Sequence, residues 1–121
     1  MVDTDGFIFG CQHGIRAMKT TSGGAIVNIS SAISQKVITS AAAYSTAKAA
    51  VRTLTRFAAP YCSQKKLNIA STRCPALVAS YHPIGRVVTT DDIVDAVLFL
   101  ASGRAAFITR SALTVDRGLA A

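Results

Sequence analysis

Apolar residues return every three or four positions in three stretches of the chain, a spacing that is typical of amphipathic helices. The first stretch covers residues 4–19, the second covers residues 41–63, and the third is the segment DDIVDAVLFLAS. We predict Thr4 and Thr90 as N-caps of the first and third helices. Because proline lacks an amide hydrogen, Pro60 predicts a kink or an end late in the second helix.

Three short apolar runs alternate with these helices and predict buried strands. They are residues 25–29, residues 67–74 and the segment ALTV within residues 108–116. Polar Ser30 and Ser31 follow the first run and are expected to end that strand. Strands that alternate with helices of this length are typical of βαβ crossovers. The predicted fold is therefore α/β, with a mainly parallel three-stranded sheet and flanking helices.

Three glycines share one face of the first predicted helix: Gly6, Gly10 and Gly14. A glycine inside a helix costs about 1 kcal/mol relative to alanine. Their spacing of four residues therefore predicts that another helix or backbone segment packs unusually close to this face. Close packing is enough to explain the three glycines, so we assign them no role in function.

Composition limits the class of protein. The chain has 121 residues, of which 50% are hydrophobic, and this is enough for one domain with a core. No apolar run reaches the roughly 18 residues of a membrane span, and no secretion signal is visible at the N-terminus, so we expect a soluble, cytoplasmic protein. Three widely spaced cysteines and two isolated histidines predict free thiols and no metal site.

The formal net charge of +7 raises the possibility of a nucleic-acid partner. The thirteen basic residues are spread along the chain, and a stripe at helical spacing is formed by Lys48, Arg52 and Arg56. No aromatic residues interleave with this stripe. Nucleic-acid binding is thus the weakest of the hypotheses, and most of the charge is interpreted as a surface property.

Tyr44 and Lys48 lie four residues apart, which places their side chains on one helical face. A phenol is a poor acid at neutral pH, but an adjacent cation favours its phenolate form, so Tyr44 becomes a candidate general acid or base. The YxxxK spacing is a weak signal by itself. Ser31, however, ends a predicted strand thirteen residues before Tyr44, at the sheet edge where open α/β sheets bind ligands. The combination favours an active site over a plain helix cap and a solvent-facing pair.

Five segments follow one another along the chain: GGAIVNISS, YSTAKAAV, CPALVAS, HPIGR with DDIVDAVLFLAS, and TRSALTVDRG. With these segments the chain resembles the short-chain dehydrogenase/reductases over nearly all of its length. The resemblance implies a Rossmann-like, doubly wound fold. It also implies hydride transfer between NAD or NADP and a small-molecule alcohol or carbonyl substrate, with the cofactor supplying the hydride.

The resemblance further implies roles for individual residues. Ser31 would hydrogen-bond the substrate oxygen, Tyr44 would pass the proton, and Lys48 would bind the nicotinamide ribose beside Tyr44. Asp3 stands where the family usually has an asparagine that anchors a relay water. The remaining residues implied to lie along the cofactor are Pro75, Val78 and Ser80.

The chain also departs from the family pattern. Ala76 stands where relatives usually have a glycine near the nicotinamide. Arg110 and Arg117 also replace glycines of the family, and a positive φ at these two positions would be strained. Residues 81–82 alone replace a longer substrate-covering segment, so no lid is expected. The sequence also has no glycine-rich turn opening a helix, which the family uses to bind the cofactor pyrophosphate.

We therefore interpret residues 1–121 as a single partial Rossmann-like domain, the catalytic half of such an enzyme without its N-terminal half. Little activity is expected from this half alone. The alternative is a non-catalytic association module derived from the same fold. In the family, the helices that match residues 4–19 and 41–63 pair across a dimer interface. We accordingly expect a homodimer or homotetramer formed through these two helices.

Overall fold

The computed structural model of the protein describes residues 2–35, 41–63, 67–74 and 86–116. In these residues helices and strands alternate along the chain. Their bounds are α1 Val2–Lys19, β1 Gly24–Ser31, α2 Ala42–Ser63, β2 Leu67–Cys74, α3 Thr90–Ala101 and β3 Ala112–Thr114. Short 3-10 turns follow β1 and α3. None of the helices in these ranges is both long and apolar enough to cross a membrane.

The strands form one parallel sheet in the order β1-β2-β3. Gly24 pairs with Leu67 at one end of the β1 and β2 ladder, and Ser31 pairs with Cys74 at the other. Helix α2 connects β1 to β2 and contacts both strands. The predicted parallel three-stranded sheet is confirmed. Ser30 and Ser31 belong to β1, so this strand is longer at both ends than its apolar run.

A small apolar core lies between α1, β1 and α2. Its buried centre and the partly buried residues packed on it are Cys11, Ala58, Ala59, Ile15, Met18, Ile26 and Leu54. Val51 of α2 is also completely buried, one turn before Thr55. Most of these positions follow the helical spacing seen in the sequence, which is why the helix faces were predictable.

A buried polar cluster crosses this core. The Asn28 side-chain amide donates to Thr55 Oγ1 at 3.0 Å and lies 3.6 Å from Cys11 Sγ. Thr55 Oγ1 in turn donates to the Val51 carbonyl at 2.9 Å. A buried amide is costly unless it is hydrogen-bonded. Asn28 therefore joins α1, β1 and α2 in one arrangement that satisfies it.

The helix ends differ in part from those predicted. The N-cap of α3 is Thr89, and Thr90 is the first helical residue. Thr4 lies inside α1, and Pro60 lies inside α2, which continues to Ser63. The predictions at Thr4 and Thr90 were thus wrong. An end of α2 at Pro60 is also ruled out.

The start of α3 is fixed by a capping box. The Asp92 N–H donates to Thr89 Oγ1 at 3.3 Å, while the Asp92 carboxylate accepts from the Thr89 N–H at 2.8 Å. Arg86 adds a bidentate pair to the same carboxylate at 2.7 and 3.0 Å. Hydrogen bonds from the Arg86 guanidinium and from Thr89 hold the pKa of the Asp92 carboxyl well below its usual range.

The helical glycines pack closely at one of three positions. A Cβ added at Gly14 would lie 3.3 Å from Ile26 Cδ1, so this glycine lets α1 approach β1. A Cβ added at Gly6 or Gly10 would have nothing within 4 Å in the described part of the chain. The prediction of close packing is therefore confirmed at Gly14 and is not met at the other two by any of the described residues.

Arg110 adopts the left-handed backbone conformation, with φ of 60°. It lies in the connection between α3 and β3. This confirms the expectation that a glycine-favouring position is occupied here by arginine. A side chain with a Cβ is strained at positive φ, because the Cβ approaches the following carbonyl oxygen. Arg117 lies outside the described residues.

Candidate active site

The candidate site is built where α2 packs against the carboxyl end of β1. Ser30 Oγ donates to the Lys48 backbone carbonyl at 2.8 Å. Lys48 Nζ reaches back to the Ile29 carbonyl at 3.4 Å. These two contacts bind one turn of α2 to the last residues of β1. Tyr44 lies one helical turn before Lys48 on the same helix.

The Lys48 ammonium lies near two aromatic rings. Its nitrogen is 5.6 Å from the centroid of the Tyr44 ring and 5.0 Å from the centroid of the Phe7 ring. Both distances are within the roughly 6 Å over which a cation is attracted to a ring face. Lys48 is thus turned toward Tyr44, as the spacing of the two residues predicts.

Tyr44 is the accessible member of the pair. It keeps 40% of its surface exposed, while Lys48 is half-buried between α1 and α2. A group that exchanges a proton with a small molecule must be reachable from outside the protein. Tyr44 meets this requirement, because it is the more exposed residue of the pair.

Ser31 is the last residue of β1 and is almost completely buried. Its Oγ accepts the Ile33 N–H at 3.4 Å and caps the 3-10 turn Ala32–Ser34. Its carbonyl accepts a hydrogen bond from Ser34 Oγ at 2.7 Å. The cap interpretation of Ser31 is therefore correct. Ser31 follows Ser30, the residue of β1 that donates to the Lys48 carbonyl, and its role in the site stays a prediction.

The other predicted site residues are described only in part or not at all. The Asp3 backbone belongs to the first turn of α1, one turn before Phe7, and its side chain lies outside the described residues. Four further residues that the resemblance places near the nicotinamide also lie outside the described ranges: Pro75, Ala76, Val78 and Ser80. The shortened segment at residues 81–82 lies outside them as well.

The basic stripe is not one continuous exposed surface. Lys48 is drawn inward by Phe7, Tyr44 and the Ile29 carbonyl, whereas Arg56 is exposed. A phosphate-binding stripe needs its cations together at the surface. This geometry removes the first residue of the stripe from that role.

Two residues of the site were missed from the sequence. Ser30 could have been found, because alternation along a strand places it on the same face as Asn28 and Ile26, toward α1 and α2. Phe7 carried no such signal. Its contact with Lys48 joins two helices that are far apart in the sequence, and no local spacing relates them.

Two family models match this chain, one over its first two thirds and the other over its C-terminal part. Residues 1–82 match the family model described as short chain dehydrogenase. Residues 67–120 match the one described as enoyl-(acyl carrier protein) reductase. The chain belongs to the short-chain dehydrogenase/reductase family.

Its similar relatives are dehydrogenases of varied substrates. The cis-4-hydroxycyclohexanecarboxylate dehydrogenase of Sinomonas cyclohexanicum is 30% identical over 99% of this chain and 54% of its own length. The inactive 2-(S)-hydroxypropyl-CoM dehydrogenase 2 of Xanthobacter autotrophicus is 35% identical over 99% of this chain and 61% of its own length. The chain thus spans little more than half the length of these curated relatives.

Solved structures give the same picture. The acetoin dehydrogenase YohF of Salmonella typhimurium superposes with a TM-score of 0.92 at 29% identity, covering 98% of this chain and 52% of that one. ElxO with NADP bound superposes with a TM-score of 0.90 at 27% identity, covering 97% of this chain and 54% of that one. These likenesses confirm the partial Rossmann-like α/β fold.

Proposed function

We propose that this chain carries the catalytic residues of an NAD(P)-dependent oxidoreductase that interconverts an alcohol and a carbonyl compound. The observation that carries the proposal is the Lys48 ammonium, held at the carboxyl end of β1 and 5.6 Å from the Tyr44 ring. Family membership adds support, because the Sinomonas cyclohexanicum relative is named a dehydrogenase, whereas the Xanthobacter autotrophicus relative is named an inactive one. Their substrates differ too widely to name one for this chain.

Tyr44 acts as the general acid in the reducing direction. Its phenol gives a proton to the substrate oxygen, and the phenolate that remains is stabilised by the nearby Lys48 cation. In the oxidising direction the same phenolate removes the hydroxyl proton. The exposure of Tyr44 allows the substrate oxygen to reach it.

In line with the family pattern, Ser31 is the residue that would donate a hydrogen bond to the substrate oxygen. The Ile33 N–H donates to the Ser31 oxygen, so capping of the 3-10 turn fixes this buried hydroxyl at the end of β1. A positioned donor of this kind stabilises the negative charge that develops on a carbonyl oxygen as the carbonyl carbon accepts hydride.

The residues present fit the nicotinamide-ribose end of a dinucleotide. Lys48 provides a half-buried cation with hydrogen-bond donors, next to the ring of the exposed residue Tyr44. When bound, a reduced nicotinamide supplies the hydride to the carbonyl carbon. We extend the proposal to Pro75, Val78 and Ser80 as further residues along the cofactor. Asp3 would hold a water of the proton relay on α1.

The 121 residues include no glycine-rich turn for a pyrophosphate. We therefore propose that tight dinucleotide binding needs residues beyond this sequence and that the chain alone is weakly active. A free, buried thiol at Cys11 is compatible with a reducing compartment, and we place the protein in the cytoplasm.

The test is the reduction of a panel of small ketones with NADH or NADPH. The rate is measured as the loss of absorbance of the reduced nicotinamide. Tyr44→Phe should lower the rate by about 100-fold or more, because the proton donor is removed. Lys48→Met should lower it strongly, and Arg52→Met, which removes a cation one turn further along α2, should leave it unchanged. A Tyr44→Phe variant as active as the unmodified chain would contradict the proposed function.

A second candidate is an association module, favoured by the surface between α1 and α2. A groove of about 400 Å³ opens there, with an apolar floor that includes Ile15, Leu54 and Phe57. Phe57 keeps 71% of its surface exposed. We propose that a second copy of the chain covers this surface, giving a homodimer or homotetramer.

Light scattering tests this association. Phe57→Ser should shift the chain toward monomer, because it removes an apolar contact from the groove surface. Phe107→Ser is the control, since Phe107 is even more exposed than Phe57 but lies in the turn after α3, away from the groove. A chain that stays monomeric at every concentration, before any substitution, would contradict the proposed association.

A further inference from the structure

The contact between Phe7 and Lys48 links α1 to the candidate site. The Phe7 ring centroid lies 5.0 Å from Lys48 Nζ, closer than the 5.6 Å of the Tyr44 ring. Phe7 is half-buried, so this ring face is shielded in part from water. A cation near a partly desolvated ring is attracted more strongly than one at an exposed ring.

Lys48 needs such a contact because its other restraint is weak. A lysine ammonium ends a flexible four-carbon stem with many rotamers. The hydrogen bond from Nζ to the Ile29 carbonyl measures 3.4 Å, beyond the usual range for a strong N–H···O bond. The two rings contribute attraction from α1 and from α2, so three elements of the fold converge on one nitrogen.

We propose that Phe7 is a positioning residue, which holds the Lys48 ammonium beside Tyr44 and ready for the nicotinamide ribose. The inference rests on the proposed function. Phe7 acts through Lys48 and does not contact the substrate. An aliphatic side chain of similar size would fill the same space, but it lacks the negative ring face that attracts the cation.

The first experiment observes Lys48 directly and needs no turnover. Lysines labelled with ¹³C at the ε position give signals from five residues, and a Lys48→Met variant identifies the one from Lys48. Protons above an aromatic ring are shifted to higher field. The variant Phe7→Leu should move the Lys48 ε-proton signal to lower field, and Phe7→Trp should keep it at high field.

Phe9→Leu is the matched control, because Phe9 lies two residues further along α1 and is largely exposed. It should leave the Lys48 signal in place. A Phe7→Leu variant with an unchanged Lys48 signal would overturn the proposal. Equal movement in Phe7→Leu and Phe9→Leu would overturn it too, because the effect would then reflect general loosening of α1.

The second experiment measures the kinetic consequence. Phe7→Leu should lower kcat/KM by about 2- to 5-fold, the size of one cation–π contact. The loss should appear mainly as a higher KM for the reduced dinucleotide, and Phe7→Trp should restore the parent value. Partial unfolding would instead lower kcat at an unchanged KM.

The two readouts separate the two proposals. If the unmodified chain turns over no substrate, the proposed function fails, while the Lys48 signal still decides whether Phe7 positions the ammonium. If the chain is active and the signal moves but KM does not, Phe7 has no role in the site and the inference fails. Agreement of the NMR and kinetic changes supports it.

Discussion

Two regions of the molecule are held together in different ways. In the layer formed by α1, β1 and α2, polar contacts are buried and join elements that are distant in sequence, as Asn28 joins Thr55 and Ser30 joins Lys48. In residues 86–116, the polar contacts that fix the start of α3 are local, as in the capping box of Thr89 and Asp92. The first region carries the candidate site.

Single apolar side chains of the two regions can be compared in the same way. Val51 of α2 is fully buried, whereas Leu98 of α3 keeps 62% of its surface exposed, and each region also contains residues of the other kind, Phe57 in α2 and Leu100 in α3. The second region also contains the strained Arg110. Buried contacts between distant elements fix a side chain in space, whereas a helix cap fixes only the start of its own helix. The placement of Tyr44 and Lys48 needs the first kind of restraint.

The strongest test of this contrast is Asn28→Ala. Removal of the amide takes a hydrogen bond from Thr55 and leaves a gap between α1, β1 and α2, so we expect a loss of about 2–3 kcal/mol of unfolding free energy. Urea denaturation followed by circular dichroism measures it. Thr53→Ala, on the exposed face of α2, should change stability by less than about 0.5 kcal/mol.

The matching substitution in the second region is Leu98→Ala. Because Leu98 is largely exposed, its truncation should cost less than about 0.5 kcal/mol. If Asn28→Ala and Leu98→Ala destabilised the chain equally, the two regions would not differ in the way described above.

A smaller effect of opposite sign is expected at Arg110. Glycine adopts a φ of 60° without the Cβ conflict, so Arg110→Gly should stabilise the chain by about 1 kcal/mol. The neighbouring substitution Ser111→Gly should instead be neutral or destabilising, because it adds backbone freedom to the unfolded chain and relieves no strain. Thermal unfolding of the two variants compares them. Destabilisation by Arg110→Gly would show that its side chain contributes more than the strain costs.

Much of the fold could be predicted because the signals were local. The helical spacing of apolar residues located α1 and α2 to within two residues, and the apolar runs located the sheet strands. The doubly wound fold class was predicted from the family resemblance. The hydrophobic spacing of a few short helices and strands does not by itself identify that class. The N-cap of α3 was misplaced by one residue, since Thr89 and Thr90 are both good caps and only Thr89 lies three residues before Asp92.

The site was predictable to a smaller extent. The YxxxK spacing placed Tyr44 and Lys48 on one face, because helix geometry relates residues four apart. It gave no indication of Phe7, and it left the contact from Ser30 unassigned. Both contacts depend on how α1 and α2 pack on β1, which is a tertiary property. Helix packing is also what makes Gly14 close-packed while Gly6 and Gly10 are not.

The smallest expected effect concerns the local cap of α3. Because hydrogen bonds from Arg86 and Thr89 lower the pKa of the folded Asp92 carboxyl, its contribution to stability is fully present above the unfolded pKa of about 4 and is lost as pH falls through the folded value. Asp92→Asn should therefore remove part of the stability at neutral pH and flatten its decline in acid.

The matched control for the cap is Asp95→Asn, an exposed carboxylate on the same helix. Urea denaturation measures the free energy of unfolding at neutral pH and at acidic pH. The free-energy difference between the parent chain and Asp92→Asn should shrink as pH falls, while the difference between the parent chain and Asp95→Asn should stay small at both pH values. Salt should shrink the Asp92 effect as well, because the Arg86 pair is at the surface. A difference that is independent of pH would mean that Asp92 stabilises α3 by shape and not by charge, and the local cap would then resemble the buried polar contacts of the first region.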